Sequence, residues 1–383
     1  MPPVAPSPAS PRDLRAIDDA LLARYAAAGY ARCDPPILQP ADVFLDVSGE
    51  SIRRRLYLTV DADGQELCLR PDLTIPVARE VLASGATLPM AVSYLGPVFR
   101  FRGESSGEFR QAGVESFGRR DTEAADADIL ALGLETCAIY TLPNPVIRLG
   151  DVGLFAALLD SLPLAPAWRR RLLKDFGQGR LADLSRLNTQ RSANGASAHS
   201  GVLAALAGSD PDGARALVTD LLSIAGITTV GGRSVAEIAA RFLEQSALDA
   251  GNGLSAETTL VLARYLAIAG DPDDASAHLR ALAKDAQLDL SAALDLFDRR
   301  SGFFTTHGIA LADVQFSTAF GRPMDYYSGM VFELHDPEGR VDGPLVAGGR
   351  YDPLLGRLGA TGTVPAVGLA AWVERLSDLE GSR

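Results

Sequence analysis

The chain has 383 residues, 47% hydrophobic and 22% charged, enough to bury a sizeable core and, by size alone, to form two domains. A formal net charge of −12 argues against a general nucleic-acid binder, which needs a basic face to displace counterions from phosphates. No apolar run is long and unbroken enough for a membrane span and no segment is built like a signal peptide, so the expected location is cytoplasmic.

Residues 1–12, rich in Pro, Ala and Ser, predict a flexible lead-in. From Asp13, DLRAIDDALLARYAAAGY spaces apolar residues at three and four and predicts a helix ending near Gly29. PPILQPADVFL reads as extended and broken by proline. RLYLTV and ELCLRP predict two strands around an Asp63-Gly64 turn, and LTIPVAREVLAS a helix. AVSYLGPVFRFRG and FRQAGVESFG predict an antiparallel hairpin across the polar GESSGE, followed by a helix in DADILALGLETCAIY and a strand in NPVIRLG. Across 151–300 Ala and Leu recur at helical spacing between Gly and Pro breaks, in segments such as APAWRRRLLKDF, VLAALAG, SVAEIAARFLEQ and ASAHLRALAKDA. Strand texture returns in VQFSTAF, GMVFELH and LVAGGRYDPL, and PAVGLAAWVERLSDL reads as a closing helix. The expected class is α+β: a discontinuous core from 13–150 and 301–383, interrupted by a helix-rich insertion at 151–300.

Familiar catalytic signatures are missing. GGRYDPLLG and GDVGLF lack phosphate-loop spacing, and there is no GxSxG elbow or HExxH. Cys33, Cys68 and Cys137 form no CxxC and read as reduced, buried small hydrophobes; the four histidines are scattered, so neither metal nor cofactor is expected. The basic clusters RRRL at Arg53 and WRRRLLK at Trp168 read as solvated faces.

Polar density inside strand-like segments stands out instead. LCLRPDLT puts Arg70, Asp72 and Thr74 at alternate positions of an extended chain; YLGPVFRFR sets Arg100 and Arg102 opposite Phe99 and Phe101. FRQAGVESFG groups Gln111, Gly113 and Glu115, and RPMDYYSGMVFE carries Arg322, Asp325, Tyr326 and Tyr327 ahead of an apolar strand. An antiparallel sheet with one wet face explains such a pattern. So does a face that grips a zwitterion, since an ammonium takes carboxylate and amide oxygens, a carboxylate takes Arg, and an imidazole N–H takes a Glu or Tyr oxygen.

These segments resemble, in order, the motifs of class II aminoacyl-tRNA synthetases in their histidyl form. GYARCDPPILQP is similar to the dimer-forming motif 1, LRPDLTIPVAR to the LRPEGT segment, and YLGPVFRFR with QAGVESFG to motif 2. RPMDYYSGMVFE and AGGRYD resemble the two histidine-specific motifs RGLDYY and GGGRYD, and PAVGLAAWVERL resembles motif 3. The resemblance spans the chain outside the insertion and implies a class II synthetase-like antiparallel sheet flanked by helices. It implies that Asp72, Thr74 and Gln111 hold an α-amino group, that Glu115 and Tyr327 meet an imidazole, and that Tyr326 and Tyr351 line the pocket. Arg322 matches the arginine that meets the carboxylate, and Arg100 the one that contacts the α-phosphate in the enzymes.

The departures lie at the nucleotide end. Between Arg100 and Glu115 the chain is three residues shorter than the family spacing, with Arg102 at a position of Glu and with Glu104 and Glu108 where basic residues stand. Carboxylates there oppose a triphosphate. Trp372 replaces a motif 3 glycine and fills space used by adenine. With eight residues following Arg375 in this sequence, an anticodon-binding domain is not expected. This combination resembles one family, the regulatory subunits of ATP phosphoribosyltransferase. It implies a non-catalytic protein that binds free histidine and a short-form catalytic subunit, as a homodimer within a hetero-octamer, with feedback inhibition of the first step of histidine biosynthesis. The rival readings are a truncated but active histidyl-tRNA synthetase, since Arg100, Arg322 and Arg375 remain, and a synthetase-like RNA-binding module.

Overall fold

The computed structural model describes residues 11–48, 50–103, 106–182, 220, 229–230, 233–234, 253–324 and 326–380. Most of the lead-in, Glu104, Asp325 and the middle of the 151–300 block, with VLAALAG and SVAEIAARFLEQ, lie outside the described residues.

Helix α1 (Pro11–Ala27) leads to strand β1 (Ala31–Arg32), and Pro35 and Pro36 keep the chain extended as far as β2 (Leu38–Pro40). The expected extended run stops there. Ala41 and Phe44 are buried three residues apart, and Pro40 stands at a helix start where a missing N–H costs nothing, so ADVFL belongs to helix α2 (Ala41–Ser48). Short helix α3 (Glu50–Arg53) follows, then hairpin β3 (Leu58–Val60) and β4 (Glu66–Leu69). Its turn closes on Asp61, whose carboxylate accepts from the N–H of Asp63 at 3.0 Å and of Gln65 at 2.8 Å.

Helix α4 (Thr74–Ala83), the long hairpin β5 (Met90–Phe99) and β6 (Glu108–Phe117), helix α5 (Thr122–Ile139) and strand β7 (Val146–Asp151) form as the sequence predicts. Next come α6 (Val152–Ser161), α7 (Pro166–Gly177), the small hairpin β8 (Thr229–Val230) and β9 (Arg233–Ser234), α8 (Ala256–Leu266), β10 (Ala269–Gly270), α9 (Pro272–Asp285) and α10 (Ser291–Thr306). Strands β11 (Val314–Ser317), β12 (Met330–His335) and β13 (Val346–Arg350), helix α11 (Pro353–Arg357), strand β14 (Ala366–Trp372) and helix α12 (Val373–Glu380) complete the described chain.

The expected closing helix is thus half strand. β14 runs between β6 and β13 and is covered on both faces, so AVGLAAW carries no polar alternation and mimics an apolar helix.

Nine strands form one sheet in the order β1-β5-β6-β14-β13-β12-β7-β11-β10. It is mixed rather than purely antiparallel, because β1 pairs with β5 and β11 with β7 in parallel. A second sheet has the order β2-β4-β3. The large sheet divides two apolar cores. On one face α1, α5, α6 and α7 pack with α8, α9 and α10 against Val114, Phe332 and Leu369. On the other, α2, α4 and α11 pack with the small sheet around Tyr94, Tyr326, Tyr351 and Trp372. The described helices between 151 and 300 therefore share a core with the sheet, and β10 extends its edge.

Candidate functional site

Strand alternation decides which side chains meet. Along β6, Ala112 and Val114 enter the helical core, while Gln111 and Glu115 point into a cavity on the opposite face. Across β14, Val367, Leu369 and Ala371 pack on the helices, which leaves Gly368, Ala370 and Trp372 for the cavity. A Cβ on Gly368 would overlap the Glu115 carboxylate, so this strand position has to be glycine. Arg100 enters just past the end of β5, Asp72 and Thr74 at the start of α4, Arg322, Tyr326 and Tyr327 from the segment before β12, and Tyr351 just after β13.

All nine residues named from the sequence, Asp72, Thr74, Arg100, Gln111, Glu115, Arg322, Tyr326, Tyr327 and Tyr351, line this one cavity of about 130 Å³. A water molecule occupies roughly 10–15 Å³ of such space, so the cavity takes a solute of on the order of ten heavy atoms, the size of an amino acid.

Glu115 forms its floor at 1% exposure. Tyr94 donates to its Oε1 at 3.1 Å, Tyr351 donates to Oε2, and the Thr74 hydroxyl adds a further hydrogen bond. Burial pushes the carboxyl up to about 8, against the pull of those hydroxyls and with help from the negative charge of Asp72. Asp72 is itself buried; its Oδ1 accepts from the Ile75 N–H at 3.2 Å, and its Oδ2 is buried with no partner among the described residues. Burial raises this carboxyl too, opposed by the Arg100 guanidinium. Gln111 Oε1 is likewise buried without a partner. A buried acceptor left unpaired costs roughly 1–3 kcal/mol, so two of them facing one cavity mark where a donor belongs.

The walls are aromatic. Tyr326 lies edge-on to Tyr351 at 5.7 Å between ring centroids and tilted against Tyr327 at 5.0 Å. Cations stand at the rim: Arg100 donates from Nε to the Pro71 carbonyl at 2.6 Å, and Arg322 donates from Nη1 to the Tyr327 hydroxyl at 3.0 Å.

Asp72 and Thr74 do line the cavity, but β4 ends at Leu69, so they share no extended face with Arg70. Arg70 instead braces the base of the hairpin, donating to the carbonyl of Pro35 at 2.5 Å and of Pro97 at 2.8 Å. Thr74 sides with Glu115, and the Tyr327 hydroxyl is held by Arg322. Tyr94 was missed. Its signal was the hairpin register, which sets it opposite Gly113, where the absent side chain leaves room for the phenol. Arg55, from a cluster expected to be solvated, stands exposed at the cavity mouth.

At the other end, Trp372 lines the cavity and the Arg375 guanidinium lies 5.2 Å from the centre of its ring. Arg375 also donates to the Pro344 carbonyl at 2.6 Å and does not line the cavity. Arg102 stacks 3.7 Å over Phe109, and Glu108 opens β6 in an exposed position. Cys68 and Cys137 are free and buried, which pushes both thiols up to about 12, far from a reactive thiolate. Among the described residues no cluster of His, Cys, Asp and Glu is suited to hold a metal ion, and no helix is long and apolar enough to cross a membrane.

Comparison with known proteins points the same way. A family model described as histidyl-tRNA synthetase matches residues 6–376. The ATP phosphoribosyltransferase regulatory subunit of Brucella canis is 41% identical over 350 residues, covering 91% of this chain and 93% of that protein. Its counterpart in Brucella abortus is 41% identical over the same length, covering 92% of that protein. Among solved structures, an ATP phosphoribosyltransferase regulatory subunit/histidyl-tRNA synthetase from Bacillus halodurans superposes with a TM-score of 0.66 at 21% identity, covering 99% of this chain and 82% of that one. The histidyl-tRNA synthetase from Nostoc sp. PCC 7120 gives 0.64 at 18% identity, covering 99% and 73%. These two likenesses establish the class II synthetase fold.

Proposed function

The chain belongs to the family of ATP phosphoribosyltransferase regulatory subunits, on a histidyl-tRNA synthetase fold, and from its cavity we propose that it senses free histidine and passes that signal to a catalytic subunit. The observation that carries the reading is the pair of partnerless buried acceptors, Asp72 Oδ2 and Gln111 Oε1, beside the buried carboxyl of Glu115. An α-ammonium satisfies the first two. An imidazole fits the last, because a carboxyl and an imidazole that titrate close together share one proton between them. Arg322 and Arg100 answer the α-carboxylate, and the three tyrosines enclose the ring.

In this reading the protein has no catalytic residue, cofactor or metal of its own and no longer aminoacylates. Trp372 occupies the side of the cavity where a nucleotide base would go, and Arg375 is turned onto Trp372 and Pro344. The partners are a short-form catalytic ATP phosphoribosyltransferase, which this subunit activates, and a second copy of this chain within a hetero-octamer; nucleic acid and membrane are not partners. The exposed apolar residues Leu38, Leu58 and Val60 on the small sheet, with Tyr57 just before it, suit the homodimer contact. Histidine inhibits by binding one arrangement of the complex better than another; a coupling of about 1–3 kcal/mol suffices.

The test is co-purification with a short-form catalytic subunit, followed by its activity with and without histidine. An Asp72→Ala subunit should still activate the partner while histidine inhibits at least tenfold more weakly (about 1.4 kcal/mol of lost binding). Undiminished inhibition would put the regulatory pocket elsewhere. The surviving Arg100, Arg322 and Arg375 support a second reading, histidine activation by ATP. Histidine-dependent exchange of pyrophosphate into ATP by the purified chain would replace the sensor with an enzyme.

A further inference from the structure

Arg322 enters the cavity from a restricted piece of backbone. Pro323 follows it, which confines Arg322 to extended conformations, and the Met324 N–H closes a tight turn on its carbonyl at 2.7 Å. The position of its charge is therefore set by whatever grips the guanidinium. Two groups do. Nη1 donates to the Tyr327 hydroxyl at 3.0 Å, and Nε forms an ion pair with Glu333 Oε1 at 3.2 Å, with its N–H making no hydrogen bond among the described residues. Nη2 makes no hydrogen bond among the described residues. A guanidinium is planar, so the hydrogen bond at Nη1 and the carboxylate beside Nε together restrict the direction of Nη2.

Glu333 is not part of the cavity wall. It sits on β12 opposite Ala347, which is, and its side chain is 16% exposed. Its second oxygen, Oε2, is engaged by His335 Nε2 at 3.0 Å, two residues along the same strand face. Arg148 is its neighbour on β7. Arg322, His335 and Arg148 together hold the carboxyl below its usual range against the opposing effect of burial. Shared among Arg322, Arg148 and the His335 ring, the Glu333 carboxylate does not belong to Arg322 alone, and its role toward that guanidinium becomes one of aim.

We propose that Glu333, backed by His335, is the positioning residue that directs Arg322 Nη2 at the carboxylate of the ligand; this rests on the histidine reading above. Recognition of the carboxylate then depends on a residue that touches no ligand. The fold would carry one buried carboxylate for the ammonium, Asp72, and another outside the cavity that selects for the acid end by holding its cation.

The experiment titrates the full-length chain calorimetrically with L-histidine and with histamine, which keeps the imidazole and amine but lacks the carboxylate. Glu333→Gln should weaken L-histidine about tenfold, the size of one charge-assisted hydrogen bond, and leave histamine within about twofold. Glu333→Asp keeps the charge but withdraws it, should give the same split at smaller size, and serves if the glutamine variant does not fold. Equal weakening of both ligands in a folded variant, or no weakening of L-histidine, overturns the proposal. If the wild-type chain binds neither ligand, the histidine reading itself falls, a result distinct from the loss of the split.

Discussion

Glu115 and Asp126 are carboxyl side chains buried to 1% and 3% exposure on opposite faces of one sheet, and the protein treats them in opposite ways. Asp126, on α5, is met by cations. Arg350 donates to its Oδ1 at 2.6 Å, and Arg300 lies 3.5 Å from its Oδ2 while also bonding Asp151 at 2.5 Å. Arg350 extends the cluster to Asp352 at 3.0 Å. Glu115 is given hydroxyls only, and the charge that acts on it in the cavity is another carboxyl, Asp72. Where a buried acid finds its cation within the chain, it cements the fold. Where the chain withholds the cation and leaves an acceptor unpaired nearby, the missing charge is expected from a ligand.

The largest effect should come from the self-sufficient cluster. Asp126→Ala leaves Arg300 with Asp151 and Arg350 with Asp352 but removes the carboxylate that joins them, and losing one partner of a buried pair costs about 3–5 kcal/mol. Urea unfolding of the empty protein measures it. A loss below about 1 kcal/mol would mean that the cluster contributes little and that the contrast with Glu115 is not one of structure against binding.

Glu115→Gln should do the reverse. Its carboxyl titrates near 8 in the fold against 4.5 as an ordinary glutamate, so the folded state holds the proton more tightly than the unfolded chain does. Folding stability contributed by this group therefore falls as pH rises from about 4.5 to about 8. The amide removes that slope: the variant should match the wild type at pH 5 and equal or exceed it at pH 8, while binding histidine about 30- to 100-fold more weakly for want of a charged acceptor. If Glu115→Gln instead destabilises the empty protein as severely as Asp126→Ala, the two carboxyls do the same job.

The proton count sharpens the contrast further. Free histidine titrates near 6.5 and Glu115 near 8, and in the proposed complex the pair would hold one proton between them. Between those values binding moves no net proton, so its heat should not depend on the buffer. Below about 6.5 the ligand arrives protonated and one proton is expelled; above about 8 one is taken up. Affinity should peak between the two and fall on both sides, by about tenfold per pH unit once either limb is fully developed. A profile flat from pH 5.5 to 9 would remove Glu115 from the contact.

Much of this cavity was legible because its residues come in motifs. Asp72, Gln111, Glu115, Tyr326 and Tyr327 were readable as types suited to a zwitterion, Tyr351 came only with the family resemblance, and strand alternation grouped Gln111 with Glu115. The fold was legible where polarity alternates, as in β5 and β6, and illegible where it does not. β14 is sealed on both faces and reads as helix, and ADVFL reads as extended because the prolines before it dominate its appearance. The Asp126 cluster was invisible for another reason: its members come from α5, β7, α10 and β13, and no local pattern links residues so far apart. The aim of Arg322 is equally non-local, because Glu333 meets it only once β12 is in register.

Tyr94 is where local reading failed at the centre of the site, and it yields the smallest and most specific prediction. Its hydroxyl lies between Glu115 Oε1 at 3.1 Å and the Leu369 carbonyl at 3.2 Å. Donation to the carboxylate stabilises the charged form and draws Glu115 down from where burial alone would put it. Tyr94→Phe removes that pull and leaves the ring, and Gly113 still accommodates it. The loss is one hydrogen bond, about 0.5–1.5 kcal/mol, so histidine affinity near neutral pH should change by no more than about tenfold. Its signature lies in the pH profile. The high-pH limb, set by Glu115, should move to higher pH, while the low-pH limb, set by the free ligand, stays in place. A uniform drop across all pH values would make Tyr94 a packing residue; a shift of one limb alone makes it part of the device that tunes the floor of the cavity to its ligand.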